Sequence, residues 1–314
     1  MSAQFFEYLL RLGDDRLVLG HRVSEWCGHG PILEEDIALT NIALDLVGEA
    51  NLLLKRAGEA EGRDRDQDAL AYFRDATDYR NALLVELPNG DFAHTIVRQF
   101  LFSVYSAHQW TALASCKDAD LAGIAAKALK ESRYHVRHSA EWLVRLGDGT
   151  EESHARAQGA LDDLWRYTGE LFETDELEHA LVVQGLAVDL ASLAERWHAD
   201  VSEVIARATL VMPPAVWQQT GGRCGKHTEY LGHMLAGMQI VARSHPGAKW
   251  EARGSGTHTR DDPRDPRGSE GPGSAGPECG GTRVGARCRN CRRRGHRSRD
   301  TDILGLSGDE GHRG

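Results

Sequence analysis

The chain has 314 residues, a net charge of −10 and an apolar fraction of 41%, which is enough hydrophobic material for one large domain or two ordinary ones. The acidic balance argues against nucleic acid as a partner, and no uninterrupted apolar run reaches the roughly 20 residues of a spanning helix. Met1-Ser-Ala-Gln-Phe-Phe-Glu lacks the flanks of a signal peptide, and Cys27, Cys116 and Cys224 are too scattered for a disulfide framework, so a cytoplasmic protein with no membrane segment is expected.

In chain order, Phe5, Leu9, Leu10, Leu17 and Val23 mark an opening amphipathic helix, stopped by Gly28-His29-Gly30-Pro31. Glu34, Glu35 and Asp36 favour the next N-terminus, and Ile37, Leu39, Ile42, Leu44, Leu46, Leu52 and Leu53 carry a second helix to about Gly58. A further helical stretch is predicted over 75–87. Pro88-Asn89-Gly90-Asp91 is then a turn whose aspartate can cap a third long helix, with Val97, Phe100, Leu101, Val104 and Thr111 as its buried stripe. Asp118 or Asp120 starts a fourth, through Ile124, Leu129, Val136 and Leu143 to Gly147-Asp-Gly149. Thr150 caps another, through Leu161 and Leu164 to Leu171 and Phe172. No alternating pattern competes, so the fold class expected is all-α: a ferritin-like helical bundle with additional helices.

A carboxylate-bridged di-iron bundle needs a Glu from each of two helices and a Glu-x-x-His from each of the other two. Here Glu131 is followed three residues on by Tyr134, with His135 one further, and all three lie near one face. The second helix offers Asp45 and Glu49, with Gly48 where a histidine would stand. No Asp or Glu occurs between Asp91 and Asp118, so the third helix supplies no bridging carboxylate. Asp45, Glu49, Glu131, Tyr134 and His135 therefore read as the degenerate positions of a metal site, now a buried polar network pairing Asp45 with His135 or Glu131 with an arginine. The competing reading is a stand-alone oxidase with an unusual site built from Asp45, Glu49, Glu131 and His135. His21, His94, His108 and His138 are read as core or surface residues, and His21 with Glu25 as a local pair.

The segment Thr220-Gly-Gly-Arg223-Cys-Gly-Lys226-His227-Thr-Glu229 runs from a loop into a helix. Arg223 and Lys226 beside a helix N-terminus suit a phosphate or the tail of CoA, but the spacing matches neither a Walker loop nor a dinucleotide fingerprint. The simpler reading is a docking loop, with Arg223, Lys226, His227 and Glu229 as candidate partner or CoA contacts. Leu231, Met234, Leu235 and Met238 would then pack the last helix on the bundle.

Beyond Trp250 the composition turns to Gly, Arg, Pro, Ser and Asp. Residues 251–314 hold 13 Lys/Arg against 10 Asp/Glu, which leaves the first 250 residues at −13. Two domains follow: a helical domain over 1–250 and a tail over 251–314, read as disordered or as the product of a frameshift. Cys279, Cys288, Cys291 and His296 lack the spacing of a zinc knuckle.

Tyr8-Leu-Leu-x-Leu12-Gly13-Asp14-Asp15, Gly20-His-Arg-x-Ser-Glu25-Trp26, Asp36-Ile-Ala-Leu-x-Asn41-Ile-Ala-Leu-Asp45-Leu, Lys130-Glu-x-Arg-Tyr-His135 and Gly221-Gly-x-x-Gly-x-His-Thr-Glu229 occur in this order. Over residues 1–250 the chain resembles the PaaC-type subunits of ring-1,2-phenylacetyl-CoA epoxidase, in the ferritin-like superfamily. The resemblance implies a structural, non-catalytic subunit without a cofactor of its own. It would pair with a catalytic di-iron subunit that epoxidises the aromatic ring of phenylacetyl-CoA. A small bridging subunit would join them, and a reductase would bring flavin, an iron–sulfur cluster and electrons from NADPH.

Overall fold

The computed structural model describes residues 3–215 and 217–248, and the tail with its cysteines lies outside the described residues. Every regular element among the described residues is helical. Helix α1 (Ala3–Ser24) is buried along most of its length and forms the axis of the core. Helix α2 (Leu33–Glu61) opens on Glu34, Glu35 and Asp36. It closes at Gly62, whose φ of 72° lets its N–H donate to the Gly58 carbonyl. Helix α3 (Gln67–Tyr72) is capped by Asp66, and α4 (Leu83–Glu86) is a single turn.

The caps expected from sequence hold the next elements. Asp91 accepts from His94 N–H at the head of α5 (Phe92–Leu113), and Asp118 rather than Asp120 accepts from Leu121 N–H at the head of α6 (Ala119–Gly147). Thr150 and Ser153 form a capping box for α7 (Glu151–Trp165). Helices α8 (Glu176–Gln184), α9 (Ala194–Arg207) and α10 (Glu229–Ser244) complete the described chain.

The four long helices make the bundle: α1 lies along α2, α5 along α6, and α2 meets α6. This is the all-α, ferritin-like architecture with additional helices. Helices α7 and α9 close the α5–α6 side, where Trp197 Nε1 donates to the Leu101 carbonyl at 3.0 Å and the Trp165 ring stacks on Trp197. Helix α10 packs on α3, where Gln239 Nε2 donates to the Ala71 carbonyl at 3.2 Å; its Leu231 and Leu235 are buried, with Met234 and Met238 half-buried.

Four sequence expectations need correction. The stretch 75–87 is not one helix but a 3-10 turn at Ala76–Asp78, an extended passage and α4. Its backbone is extended because Arg80, Ala82 and Leu83 donate their N–H groups to the carboxylates of Asp14, Asp15 and Glu170. The helix after Thr150 stops at Trp165, and Leu171 and Phe172 belong to a separate 3-10 turn. Thr111 is exposed, outside the buried stripe of α5. On α2, Leu39, Ile42, Leu46 and Leu53 are buried, whereas Ile37, Leu44 and Leu52 face outward.

Candidate functional site

Three consecutive charged residues in α1, Asp14, Asp15 and Arg16, are each 0% exposed. Successive helical side chains point about 100° apart, so the three reach different neighbours. Asp14 is paired with Arg74 and accepts from Arg80 N–H. Asp15 accepts from Arg223 through both oxygens, at 3.0 and 2.9 Å, and from Ala82 N–H. Arg16 enters the centre of the bundle.

The Arg16 guanidinium donates to Gln109 Oε1 at 2.7 Å, Ser106 Oγ at 3.3 Å and the Leu12 carbonyl. Its carbon lies 4.3 Å from the Trp110 ring centroid and 5.3 Å from that of Phe102. Arg16 Nε is 3.6 Å from Glu49 Oε2, an ion-pair distance beyond hydrogen-bond reach. Burial pushes the Glu49 carboxyl up to about 8 despite Arg16, and the nearby charges of Glu131 and Asp45 push the same way. The Trp110 indole N–H favours the anion without closing a hydrogen bond to it. At neutral pH Glu49 is therefore mainly an uncharged acid.

The other sequence-predicted positions surround this pair. His135 Nε2 meets Asp45 Oδ2 at 3.1 Å, one of the two pairings expected. Glu131 lies 3.5 Å from Lys127, so its cationic partner is that lysine and not an arginine. Tyr134 turns outward, half-exposed and stacked on His138, whose Nε2 meets Glu35 at 2.8 Å. The remaining histidines are dispersed: His108 pairs with Asp200, and burial lowers His21 and His94. Glu25 pairs with Arg22 and accepts from Asn89, while its charge also acts on His21, so the arginine shares the carboxylate expected for His21.

These residues do not fit a carboxylate-bridged pair of metal ions. On α5 the side chains turned to the centre are Ser106, Gln109 and Trp110, and on α1 it is a cation, Arg16. A guanidinium at the point where carboxylates would have to converge opposes a cationic metal by charge and by volume. Among the described residues no group of three His, Cys, Asp or Glu side chains is placed to hold an ion.

The glycine-punctuated segment has a different role from the anion site considered above. Arg223 is spent inside the chain, on Asp15 and on the Arg11 and Arg80 carbonyls. Glu170 sits within the loop, accepting from Gly221 N–H at 2.8 Å. Glu86 takes Thr228 N–H at the head of α10 and pairs with His227 Nδ1 at 2.7 Å, which raises that imidazole's pKa although burial opposes it. The anions at this helix start are thus the chain's own carboxylates. Lys226 and Glu229 remain exposed. Gly222 and Gly225 permit the close approach, since a Cβ at either would run into the backbone carbonyls of Asn81 and Thr77.

Sequence reasoning missed Arg16, Asp15 and Glu170 as parts of this network. The available signal was Asp14-Asp15-Arg16 itself, three charges inside a helix otherwise rich in leucine.

The model of a family described as phenylacetic acid catabolic protein matches residues 1–250. The C subunit of 1,2-phenylacetyl-CoA epoxidase from Escherichia coli (strain K12) is 49% identical over 247 residues, which cover 79% of this chain and 99% of that protein. The match spans the bundle, the buried Asp14-Asp15-Arg16 run and the glycine-punctuated loop. The chain belongs to the phenylacetic acid catabolic protein family.

Proposed function

We propose that this chain is a structural, non-catalytic subunit of a multicomponent di-iron oxygenase that epoxidises the ring of phenylacetyl-CoA, and that it pairs with and supports the catalytic subunit. The supporting observation is the Arg16 guanidinium at the bundle centre, bound to Gln109 and facing a mainly neutral Glu49. A centre occupied by its own cation serves as a frame for a neighbouring active site, which loses much of its rate when held loosely. Kinship with the epoxidase of Escherichia coli supplies the reaction.

In this reading the chain carries no cofactor. Two irons belong to the catalytic subunit; flavin, an iron–sulfur cluster and NADPH act through a reductase; a small further subunit bridges the complex. The assembly is cytoplasmic. Helix α2 is long and apolar enough to cross a membrane by composition alone, yet its Leu39, Ile42, Leu46 and Leu53 are committed to the core.

The test is co-expression with the catalytic subunit, followed by reconstitution with the small subunit and reductase. The two chains should co-purify in equal amounts, and epoxidation should need both. Full epoxidation by the catalytic subunit without this chain would overturn the proposal. Turnover by this chain with the reductase alone would also overturn it and would restore the stand-alone oxidase.

A further inference from the structure

Helix α10 buries Leu231 and Leu235 and is otherwise held to the body of the protein by polar fastenings. Gln239 Nε2 donates to the carbonyls of Ala71 and Arg74, and Arg22 Nη2 on α1 donates to the Tyr230 carbonyl at 3.0 Å. At its head stands His227, whose side chain is 4% exposed, against a Glu86 side chain on α4 that is 0% exposed.

Both ring nitrogens of His227 face acceptors. Nδ1 meets Glu86 Oε2 at 2.7 Å, and Nε2 meets the Tyr79 carbonyl at 3.0 Å. A backbone carbonyl only accepts, so Nε2 carries a hydrogen. The Glu86 carboxylate also accepts from Thr228 N–H at 2.6 Å and from Asn81 Nδ2 at 2.8 Å, so Nδ1 donates as well. An imidazole that donates from both nitrogens is an imidazolium. Losing one proton strips a hydrogen bond from either Glu86 or Tyr79 in a place closed to water, where an unmade bond is costly.

We propose that His227 is a proton-operated latch: its imidazolium holds the glycine-punctuated loop and the head of α10 against α4, and loss of its proton lets α10 lift while the four long helices stay folded. The charges around the ring come from three elements. Glu86 on α4 and Asp14 on α1 favour the imidazolium. Arg80, which shares the Tyr79 carbonyl, and Arg22, which donates to the Glu86 carbonyl, are like charges that oppose it. Lys226 and Glu229, exposed on either side of His227, ride on the same segment. Burial alone would lower the imidazole below its ordinary 6.5, but Glu86, the Tyr79 carbonyl and Asp14 outweigh it and raise it. The closed latch therefore binds the proton more tightly than the lifted segment does. Its hold is complete below pH 6.5, weakens as pH rises above that value, and is lost once pH has passed the raised value of the closed state.

This device is independent of the role proposed above, since every contact in it lies within the chain. The test is hydrogen–deuterium exchange of the full chain, read by mass spectrometry on peptides from α10 and α1 between about pH 6 and pH 9, each rate being divided by the intrinsic rate at that pH. In wild type the opening of α10 should rise above pH 6.5 by up to about tenfold per pH unit and then level off, while α1 stays protected. In His227→Gln, whose amide donates at every pH, α10 should open to the same extent across the range. Glu49 loses its proton in the same range, but it is unchanged in this variant and acts on the whole bundle. Nitrogen-15 spectra of the wild-type imidazole give a second reading that needs no variant: His227 should carry two ring protons at about pH 6 and lose one in step with the rise in α10 exchange. A flat α10 profile in wild type, the same rise in His227→Gln, an equal rise in α1, or a neutral His227 at about pH 6 would each overturn the proposal.

Discussion

Arg223→Ala is expected to cost about 3–5 kcal/mol of folding stability and to lower the melting temperature by on the order of 10 °C. The reason is the carboxylate left behind. Asp15 is fully buried and takes both its short ionic hydrogen bonds from Arg223. Without the guanidinium it keeps Ala82 N–H, with Arg16 at 3.6 Å as its remaining cation. A stranded buried charge is far more costly than the loss of a well-solvated pair. Adding Asp15→Asn to Arg223→Met should recover part of the loss, because the amide still accepts from Ala82 while the charge is gone. Chemical denaturation of the single and double variants measures the coupling. A loss below about 1 kcal/mol for Arg223→Ala would mean that the loop does not fasten the bundle.

The second large effect is a pH dependence. The Glu49 carboxyl moves from an ordinary 4.5 in the unfolded chain to about 8 in the folded one. Between those values the native state holds a proton that the unfolded state has released. Its contribution to stability is fully present below pH 4.5 and is lost as pH rises through 8. Glu49→Gln mimics the protonated acid and removes that loss. The variant should match wild type near pH 5 and exceed it by up to ~4 kcal/mol near pH 8. The difference between the two profiles isolates Glu49 from every other titrating group. Parallel profiles from about pH 5 to 8 would show that Arg16 holds Glu49 ionised, and that the centre is a true ion pair.

What was legible in the sequence was local. Asp91, Asp118 and Thr150 cap helices because a cap needs a partner only three residues away. The missing carboxylate on α5 and the glycine at 48 could be read directly. What was not legible depends on distant partners. Residues 80–83 are extended because their N–H groups serve carboxylates on α1 and at Glu170, and no periodicity within the segment records that demand. Arg223 beside three glycines has the look of an anion site, but its anion lies 208 residues away in α1. Helix α2 is apolar on two faces, so its pattern alone did not tell which leucines enter the core.

That Arg16 fills the bundle centre in place of metal is tested most directly by the iron content of this chain, purified alone and in complex with the catalytic subunit. Iron is expected only in the complex, carried by the catalytic chain, and unchanged per complex when Glu131 of this chain is replaced by alanine. About two irons bound by the isolated chain, lost on substituting Asp45, Glu131 or His135, would contradict a centre closed by arginine.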